Sequence, residues 1–327
     1  MRFKNYATLI IIASFLCGCG GGGGGSSSSS SSTTSPVVFA SGNSMAYLRH
    51  LAFDGSYLYL VDSNTSATST SPVSYGHLRQ INATSGSLVT SFEVAPTYLK
   101  DIFSFAKFNS SYLVTATIIG GNTGITEINS STYAFTNKAV LSSPYGLAVD
   151  AGNTRLFAAN QSANTVVVYD TSYSILRSIC NTSTYSSCVS STSNADWVFP
   201  TGLAYDGSSY IYVTSFSGGT KGLYKINTSD YTVTSISSSL FNNPNGVAVY
   251  TSSGDIYVVN TGSGDTDSSI LKVTSSGVVS TFLDGSVGSN MLCKPIGAAI
   301  SGNYLYISNG VCTTNSTYAS SVIKISL

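Results

Sequence analysis

The stretch Pro244-Asn-Gly-Val-Ala-Val-Tyr250, followed by Ile256-Tyr-Val-Val-Asn260, decides the fold of this 327-residue chain. A short run of small and apolar residues leads through a turn to a second apolar run, which ends in a polar residue. The same phrase recurs in Gly146-Leu-Ala-Val-Asp150 with Leu156-Phe-Ala-Ala-Asn160. Looser copies occur in four more places: 51–54 with 58–62, 102–108 with 113–115, 202–206 with 211–215, and 297–300 with 305–309. Six copies, 43 to 55 residues apart at equivalent positions, indicate a repeat architecture.

Each copy continues with further strand-like segments. Third strands are expected at 165–169, 222–226, 270–273 and 322–325, and fourth strands at 87–94, 133–141, 174–179, 231–237 and 278–283. Four strands per repeat suit a propeller blade, which buries its faces only by stacking on neighbouring blades. Helical periodicity is missing after residue 40. We therefore predict an all-β chain, a six-bladed β-propeller of four-stranded blades.

The repeated phrase resembles NHL-type and YVTN-type propeller repeats. In such repeats a Pro-x-Gly-[Leu/Val]-Ala-Val-Asp strand precedes a Leu-Tyr-Val-x-Asn strand and an Asn-Thr-Val or Ile-x-Lys-[Val/Ile] strand, and residues 143–169 and 243–273 match well. The resemblance covers roughly residues 46 to 327 and implies the propeller fold. It does not select a function, because such propellers host binding, scaffolding and several unrelated chemistries.

The ring is expected to close through the N-terminus. The sixth copy ends at Leu327 directly after its third strand, which leaves its fourth strand unfilled. Val37-Val-Phe-Ala40 is an apolar, β-prone segment that belongs to no blade. Pairing the two removes an exposed sheet edge, so we predict an N-terminal strand in the last blade and a propeller domain at 37–327.

The first nineteen residues are expected to be an export signal. Arg2 and Lys4 precede an apolar run at 7–16, which is too short to span a bilayer that needs about 20 residues. Leu16-Cys-Gly-Cys19 resembles a bacterial lipobox. The resemblance implies a lipoprotein signal peptide at 1–19 and a Cys19 that carries three acyl chains, palmitate among them. An ordinary cleaved signal with two chance cysteines is the alternative.

Residues 20–36 form a Gly- and Ser-rich linker that behaves as a flexible coil. Random-coil statistics give it a reach of about 20 to 25 Å. Gly20 follows Cys19, whereas the inner-membrane lipoproteins of enterobacteria that this segment resembles have Asp there. We therefore expect a lipid-anchored protein of the bacterial cell envelope at the outer membrane, facing either the periplasm or the outside.

Charge is sparse and balanced in this chain. Charged residues make up 9% of it, with 14 basic and 14 acidic side chains, against roughly 25% in ordinary soluble proteins. Such a chain has no field that would attract nucleic acid or anionic lipid. We expect no nucleic-acid partner, membrane contact through the lipid anchor, a neutral envelope protein or glycan as partner, and a monomer.

Four cysteines follow the signal region, and an exported protein is expected to oxidise them. Cys180 and Cys188 share the long connection between blades three and four. Cys293 precedes the first strand of blade six and Cys312 follows its second strand, which places both on one face. We favour Cys180 with Cys188 and Cys293 with Cys312. A four-thiolate metal site is the alternative, although no Cys-x-x-Cys spacing supports it.

Groups for catalysis are few. His50 and His77 have no partner at a metal-ligand spacing, which favours surface or packing roles. Glu93 and Glu127 lie on predicted outer strands. Lactonase-like relatives place a calcium-binding Glu at the inner rim and amidating lyases of this fold use several His, and neither pattern can be filled here. We assign no catalytic residue.

Polar residues end the second strand in four blades: Asp62, Asn160, Asn260 and Asn309. They either cap a turn or surround a polar ligand. Trp197, in the long loop at 181–200, either packs beneath that loop or forms an exposed stacking platform.

Asp265 and Asp267 also belong to this face, and their spacing resembles the start of a calcium-binding loop. Ser269 and Ile270 break the pattern, so no cofactor is assigned and calcium remains a minor alternative. All seven residues make up the candidate ligand face. We predict a non-catalytic binding or scaffold module. The alternative is a metal-dependent lactonase-like or lyase-like enzyme, and a purely structural surface component is the third hypothesis.

Overall fold

The computed structural model of the chain describes most of the predicted propeller. The described residues are 35–41, 45, 47–63, 76–92, 99–109, 111–118, 123–129, 132, 134–180, 197–217, 222–285, 291–313 and 316–327. The predicted signal peptide, Cys19, nearly all of the linker, and Cys188 lie outside them. Among these residues there is no helix with the length and apolarity needed to cross a membrane.

The described chain forms six four-stranded antiparallel sheets, so the prediction of an all-β, six-bladed β-propeller is confirmed. Strand β1 (Val37–Ala40) comes first. Blade 1 contains β2 (Leu48–Phe53), β3 (Tyr57–Ser63), β4 (Gly76–Asn82) and β5 (Leu88–Phe92). Blade 2 contains β6 (Leu99–Phe108), β7 (Ser111–Ile118), β8 (Gly124–Ile128) and β9 (Phe135–Val140). Blade 3 contains β10 (Pro144–Val149), β11 (Leu156–Asn160), β12 (Thr165–Tyr169) and β13 (Ile175–Cys180).

The second half of the ring repeats this arrangement. Blade 4 contains β14 (Pro200–Tyr205), β15 (Tyr210–Ser215), β16 (Gly222–Asn227) and β17 (Val233–Ile236). Blade 5 contains β18 (Pro244–Tyr250), β19 (Asp255–Asn260), β20 (Ser269–Val273) and β21 (Val279–Asp284). Blade 6 contains β22 (Pro295–Ser301), β23 (Tyr304–Asn309) and β24 (Val322–Ser326), with a 3-10 turn at Ser316–Tyr318 before β24.

The first strand of every blade contacts the first strands of both neighbouring blades, so six strands surround a central axis. The repeated glycine makes this approach possible. A Cβ atom on Gly246 would lie 2.5 Å from the carbonyl oxygen of Ile296 in the next blade, and one on Gly297 would lie 2.7 Å from His50 Cα. Gly146 and Gly202 meet the following blade in the same way. Any side chain at these positions would push adjacent blades apart.

Hydroxyl groups on second strands join neighbouring blades beside these glycines. Thr214 Oγ1 accepts a hydrogen bond from the amide of Gly202 in its own blade at 2.8 Å and donates to the carbonyl of Asn245 in blade 5. The other even-numbered blades have equivalent bridges, from Thr115 to Tyr145 and from Ser308 to Arg49. The buried carbonyls of Tyr145, Asn245 and Arg49 are thereby paired, as burial away from water demands.

Apolar side chains fill the space between blades. A cluster at the interface of blades 3 and 4 contains Phe157, Trp197 and Leu203, and one at the interface of blades 5 and 6 contains Tyr257 and Ile323. Each blade is therefore buried on both faces by its neighbours, which explains why its strands read as nearly continuous apolar runs.

Strand β1 completes blade 6 by pairing with β24, as predicted from the missing fourth strand. Val37 pairs with Lys324, and Ala40 pairs with Val322 across a bulge. Phe39 packs edge-on against Tyr306 at 4.9 Å between ring centroids. The first and last strands of the propeller therefore lie in one sheet, and the ring closes without a covalent link.

Deleting residues 37–41 is expected to lower the free energy of unfolding by at least about 3 kcal/mol, because it removes a whole strand and its packing on the last blade. The exposed edge of β24 should also promote association between chains. Urea unfolding measures the first effect and light scattering the second. The control is Val37→Ser with Val38→Ser, which changes two exposed side chains and keeps the strand. A deletion variant as stable as this control would show that the ring does not depend on β1.

Candidate functional site

One face of the ring collects the loops that enter first strands and leave second strands. The start of β10 pairs with the end of β11 at Pro144 and Asn160, and the start of β18 pairs with the end of β19 at Pro244 and Asn260. We call this face the entry face and the other the opposite face. The predicted candidate ligand face corresponds to the entry face.

The polar residues that end second strands hold the loops that enter first strands. Asn160 Oδ1 accepts from the Ser143 amide at 2.9 Å, and Asp62 Oδ1 accepts from the Tyr47 amide at 2.9 Å. Equivalent bonds join Asn260 to the amide of Asn242 at 3.1 Å, Asn309 to that of Cys293 at 3.1 Å, and Ser215 to that of Val198 at 2.9 Å. Of the two roles considered, the structure shows a capping role, and the capped loop is the one entering the first strand.

Asn260 and Asn309 are fully buried, and their amide nitrogens are used as well. Asn309 Nδ2 donates to the carbonyls of Met291 at 2.6 Å and Tyr318 at 3.1 Å. Asp62 is also buried and pairs with Arg79 at 3.0 Å. These buried side chains hold the loops of the entry face in place. The residues next to them form the surface that a ligand would contact.

Trp197 has a packing role, which is one of the two roles predicted for it; the other was an exposed stacking platform. Its side chain is fully buried, its Nε1 donates to the carbonyl of Asn164 at 2.9 Å, and its ring packs edge-on against Tyr224 at 5.5 Å. It belongs to the apolar cluster between blades 3 and 4. Replacing it would therefore disturb the blade interface.

Asp265 and Asp267 are engaged by donors from the chain itself. The hydroxyl and amide of Thr313 and the ammonium of Lys294 hold the pKa of the Asp265 carboxyl well below its usual range. Burial alone would raise the pKa of Asp267, but hydrogen bonds, chiefly from Ser263, hold it well below that range. Across the residues that the structure describes, no three His, Cys, Asp or Glu side chains converge on a common point.

The Cys293–Cys312 disulfide is present as predicted and joins the two loops on either side of the first and second strands of blade 6. Cys180 is also disulfide-bonded. Its predicted partner Cys188 lies outside the described residues, so that pairing stays a prediction. The Cys293–Cys312 bond fixes the loop that carries Lys294 on the entry face.

A funnel of about 440 Å³ opens at the centre of the entry face. Its inner wall is made by the residues that precede the repeated glycine or its equivalent, and its rim by residues that follow second strands or precede first strands. The wall residues are Arg49, Phe103, Tyr145, Asn245 and Ile296, and the rim includes Tyr47, Gln161, Phe216, Thr261, Lys294 and Val311. A cavity of this size suits a small ligand or one end of a larger one.

His50 lies beside the funnel wall and lines the neighbouring cavity along the axis. Four blades have glycine at its position, and blade 2 has Ser104. Its imidazole reaches the axis and packs edge-on against Tyr145 of blade 3 at 5.6 Å between ring centroids. Tyr145 in turn stacks on Phe103 at 5.2 Å, and the Arg49 guanidinium lies 5.6 Å from the centroid of Phe103. Side chains from three blades thus meet beside the funnel.

Two buried polar atoms at this level lack a hydrogen-bond partner within the described part of the chain: His50 Nε2 and Asn245 Oδ1. Asn245 is 4% exposed and lines the funnel. An unpaired buried polar atom costs about 1–3 kcal/mol, so its presence in a native fold calls for a reason. A ligand group or ordered water that enters the funnel would supply the missing bond.

The rim also contains strained backbone. Lys294 has a φ of 43°, and Phe199, two residues after Trp197, has a φ of 56°. Residues other than glycine rarely adopt this left-handed conformation. Asn243 has a φ of 50°, and each of the three residues precedes the proline that begins a first strand, so the conformation recurs in blades 4, 5 and 6.

A second cavity, of about 530 Å³, lies along the axis towards the opposite face. The later halves of all six first strands line it, mostly with Leu, Val and Ala. Lys107 and Asp54 lie at its mouth, with 3.6 Å between Nζ and Oδ2. His50 and Ser104 line it as well, so polar groups are present in this cavity as they are in the funnel.

The funnel residues were missed by the sequence reasoning. The available signal was the residue before the repeated glycine, which differs from blade to blade: Arg49, Phe103, Tyr145, Thr201, Asn245 and Ile296. The backbone at this position is the same in every blade, whereas the side chain differs. Such a position allows a symmetric ring to carry a binding site that is not symmetric.

Comparisons with known proteins support the fold. No family model matches the chain, and no curated protein matches it. A gluconolactonase from Xanthomonas campestris superposes with a TM-score of 0.60 at 12% identity, covering 89% of each chain. A streptogramin B lyase gives 0.56 at 12% identity, covering 89% of this chain and 97% of the lyase. A chain of a nidogen/laminin complex gives 0.56 at 14% identity, covering 72% and 82%.

Identities this low show the fold alone. Chains from two enzymes and from a protein complex share it, so the architecture does not decide between catalysis and binding. The choice between catalysis and binding therefore depends on the residues of the site.

The buried His50 should make stability depend on pH. Burial, followed by the charge of Arg49, lowers the pKa of His50 from 6.5 to about 4. As the pH falls from 6.5, the unfolded chain therefore takes up a proton before the folded one, and the fold should lose about 3 kcal/mol by pH 4. Urea midpoints between pH 7 and 4 measure this loss.

The matched variant is His50→Phe, which keeps a ring against Tyr145 and removes the titration. Its stability should fall less steeply than that of the wild type over the same pH range. Identical slopes in the two proteins would mean that folding leaves the pKa of His50 unchanged, as for a side chain in water.

Proposed function

We propose that the chain is a lipid-anchored propeller of the cell envelope that binds a protein or glycan partner, without catalysis, through the funnel of the entry face. The observation that carries the proposal is the lining of that funnel. Aromatic rings, two amides and two cations converge on it, and Asn245 Oδ1, at 4% exposure of its residue, has no partner in the described structure.

The chemistry of the lining favours recognition over reaction. General acid–base catalysis or metal binding uses carboxylate, imidazole or thiolate groups positioned at the reacting atoms. None of the described residues that line the funnel is Asp, Glu, His or Cys. Burial, followed by the charge of Arg49, keeps the pKa of the neighbouring His50 below its usual range. A lactonase-like or lyase-like activity therefore has less support than binding.

The rigidity of the face supports the same function. The caps from second strands, the Cys293–Cys312 bond and the strained residue at Lys294 fix the rim before a partner arrives. A preformed surface loses less conformational entropy on binding.

Two finer features of the proposal come from the sequence. The Leu16 to Cys19 lipobox supports the lipid anchor and the envelope location, and the Pro-x-Gly phrase supports repeats of the NHL type. A monomer with a single funnel on its axis is consistent with both.

Asn245→Ala should abolish or weaken partner binding at least about tenfold and leave the melting temperature nearly unchanged, because the lost Oδ1 has no bond to give up. Phe216→Ala should also weaken binding. The assay probes the purified chain against a glycan array and against solubilised envelope proteins. Ile175→Ala, on the exposed outer strand of blade 3, is the control and should bind normally. Normal binding by both funnel variants would place the partner elsewhere.

Labelled palmitate should enter the wild-type chain in a bacterial host and should not enter Cys19→Ser, if Cys19 is the acylated residue of the lipobox. Gel fluorography of the purified proteins measures the incorporation, and fractionation of the envelope shows where the labelled protein resides. Cys17→Ser serves as the control, because Cys17 should not be the modified residue. Equal label in wild type and Cys19→Ser would contradict the anchor.

A further inference from the structure

We propose that a groove between blades 4 and 5 binds a tetrahedral oxyanion, the phosphate or sulfate group of an ester, through the ammonium of Lys225 and the hydroxyl of Tyr212. The groove has a volume of about 380 Å³. One of its walls is the turn 274–277, which joins the third and fourth strands of blade 5 and therefore lies at the opposite face. The site is separate from the funnel, so the inference goes beyond the proposed function and does not depend on it.

Three residues on adjacent strands form a row on one face of blade 4. Lys225 in β16 pairs with Tyr212 in β15 on one side and with Thr234 in β17 on the other. Side chains of residues that pair directly across strands lie on the same face of a sheet. An ammonium and two hydroxyls therefore share one wall of the groove, and all three can donate hydrogen bonds.

Blade 5 has the same row, but there the lysine is neutralised. Lys272 pairs with Tyr257 in the same register, and its ammonium lies 2.7 Å from Asp255. Asp255 begins the second strand of blade 5, and Tyr210 begins that of blade 4. Lys225 lies 3.7 Å from the centroid of the Tyr210 ring, and no residue in the described part of the chain forms an ion pair with it. A ring attracts an ammonium but has no net charge, so the charge of Lys225 is left unbalanced.

The hydroxyl of Tyr212 is the second group in the groove without a partner. Tyr212 is 6% exposed, and its hydroxyl bonds to none of the residues that the structure describes. The equivalent hydroxyls in blades 1 and 6 are bonded, that of Tyr59 to Asp54 at 3.1 Å and that of Tyr306 to the carbonyl of Ala83 at 2.9 Å. Buried tyrosine hydroxyls usually find a partner in the protein. The hydroxyl of Tyr212 is instead open to a ligand in the groove.

The carboxylate nearest to this row is already supplied with donors. Burial, followed by the charge of Asp206, raises the pKa of Tyr212. Asp206 Oδ1 accepts from the amides of Ser208, Ser209 and Tyr210 at 2.8 to 3.0 Å, which stabilises its charge outside the groove.

The lining of the groove suits a tetrahedral anion. None of the described residues that line it is Asp or Glu. Ser235 and Ser237 add hydroxyls on the wall of blade 4, and the turn 274–277 adds a threonine and two serines on the wall of blade 5. Donors on both walls match oxygens that point in different directions, whereas the two oxygens of a carboxylate lie in one plane. A lysine ammonium binds such a group as a point charge.

The test uses the purified full chain and three probes: methyl phosphate, methyl sulfate and acetate. Isothermal titration at about 0.05 M and about 0.5 M salt measures affinity under weak and strong screening. We expect at least one ester to bind at least about tenfold more tightly than acetate, and its affinity to fall at the higher salt. The comparison of the two esters shows whether the site takes phosphate or sulfate.

Lys225→Gln should weaken ester binding at least about tenfold. Tyr212→Phe should weaken it at least about threefold without lowering the melting temperature, because the hydroxyl has no protein partner to lose. Tyr210→Asp gives Lys225 the counter-charge that Lys272 has in blade 5, so it should also weaken binding. Lys272→Gln is the matched control from blade 5 and should leave ester affinity unchanged.

Several results would overturn the assignment. They are equal affinity for acetate and the esters, no ester binding at millimolar concentration, full binding by Lys225→Gln, or an equal loss in Lys272→Gln. If Lys225→Gln fails to fold, Tyr210→Asp decides, because it keeps the lysine, and full ester binding by that variant would refute the site. Asn245→Ala, in the funnel, should bind the esters normally; loss of ester binding in that variant would place the anion in the funnel and refute the groove.

Discussion

The whole ring depends on the approach of inner-strand backbones at the repeated glycine. At that level the carbonyl of the next blade's first strand lies where a Cβ atom on the glycine would be. The hydroxyls of Thr115, Thr214 and Ser308 pair those groups across the blade boundary. A side chain in place of the glycine, or a methyl in place of the hydroxyl, would leave a backbone group unpaired or separate the blades.

The bridges alternate around the ring. Blades 2, 4 and 6 have a hydroxyl at the second-strand position, and blades 1, 3 and 5 have Val61, Ala159 and Val259 there. The spacing of the repeats is longer and shorter in turn, with 55 residues from Tyr59 to Val114, 43 to Phe157, 55 to Tyr212, 45 to Tyr257 and 49 to Tyr306. The propeller is thus organised as three pairs of blades. One type of blade boundary has a hydroxyl bridge, whereas the other is held chiefly by side chains such as Trp197 and Tyr257.

The fold could be predicted from the sequence because every blade repeats the same phrase, and because Val37–Ala40 was the one apolar segment without a blade. The roles of the polar residues at the ends of second strands could be narrowed to two but not decided, since sequence does not show whether Asn260 points into a loop or into solvent. The funnel could not be found in this way. Comparing the repeats shows the residues that the blades have in common. Arg49, Tyr145 and Asn245 occupy the same position in different blades but are different residue types. Their side chains come together only when the ring is closed.

The direction of β1 sets which side of the ring its first residue occupies. The strand β24 runs from the entry face towards the opposite face, and β1 runs antiparallel to it. Val37 therefore lies on the side of the ring away from the funnel. The strand that closes the ring thus begins at one mouth of the axis, and the mouth where the funnel opens stays clear of its first residue.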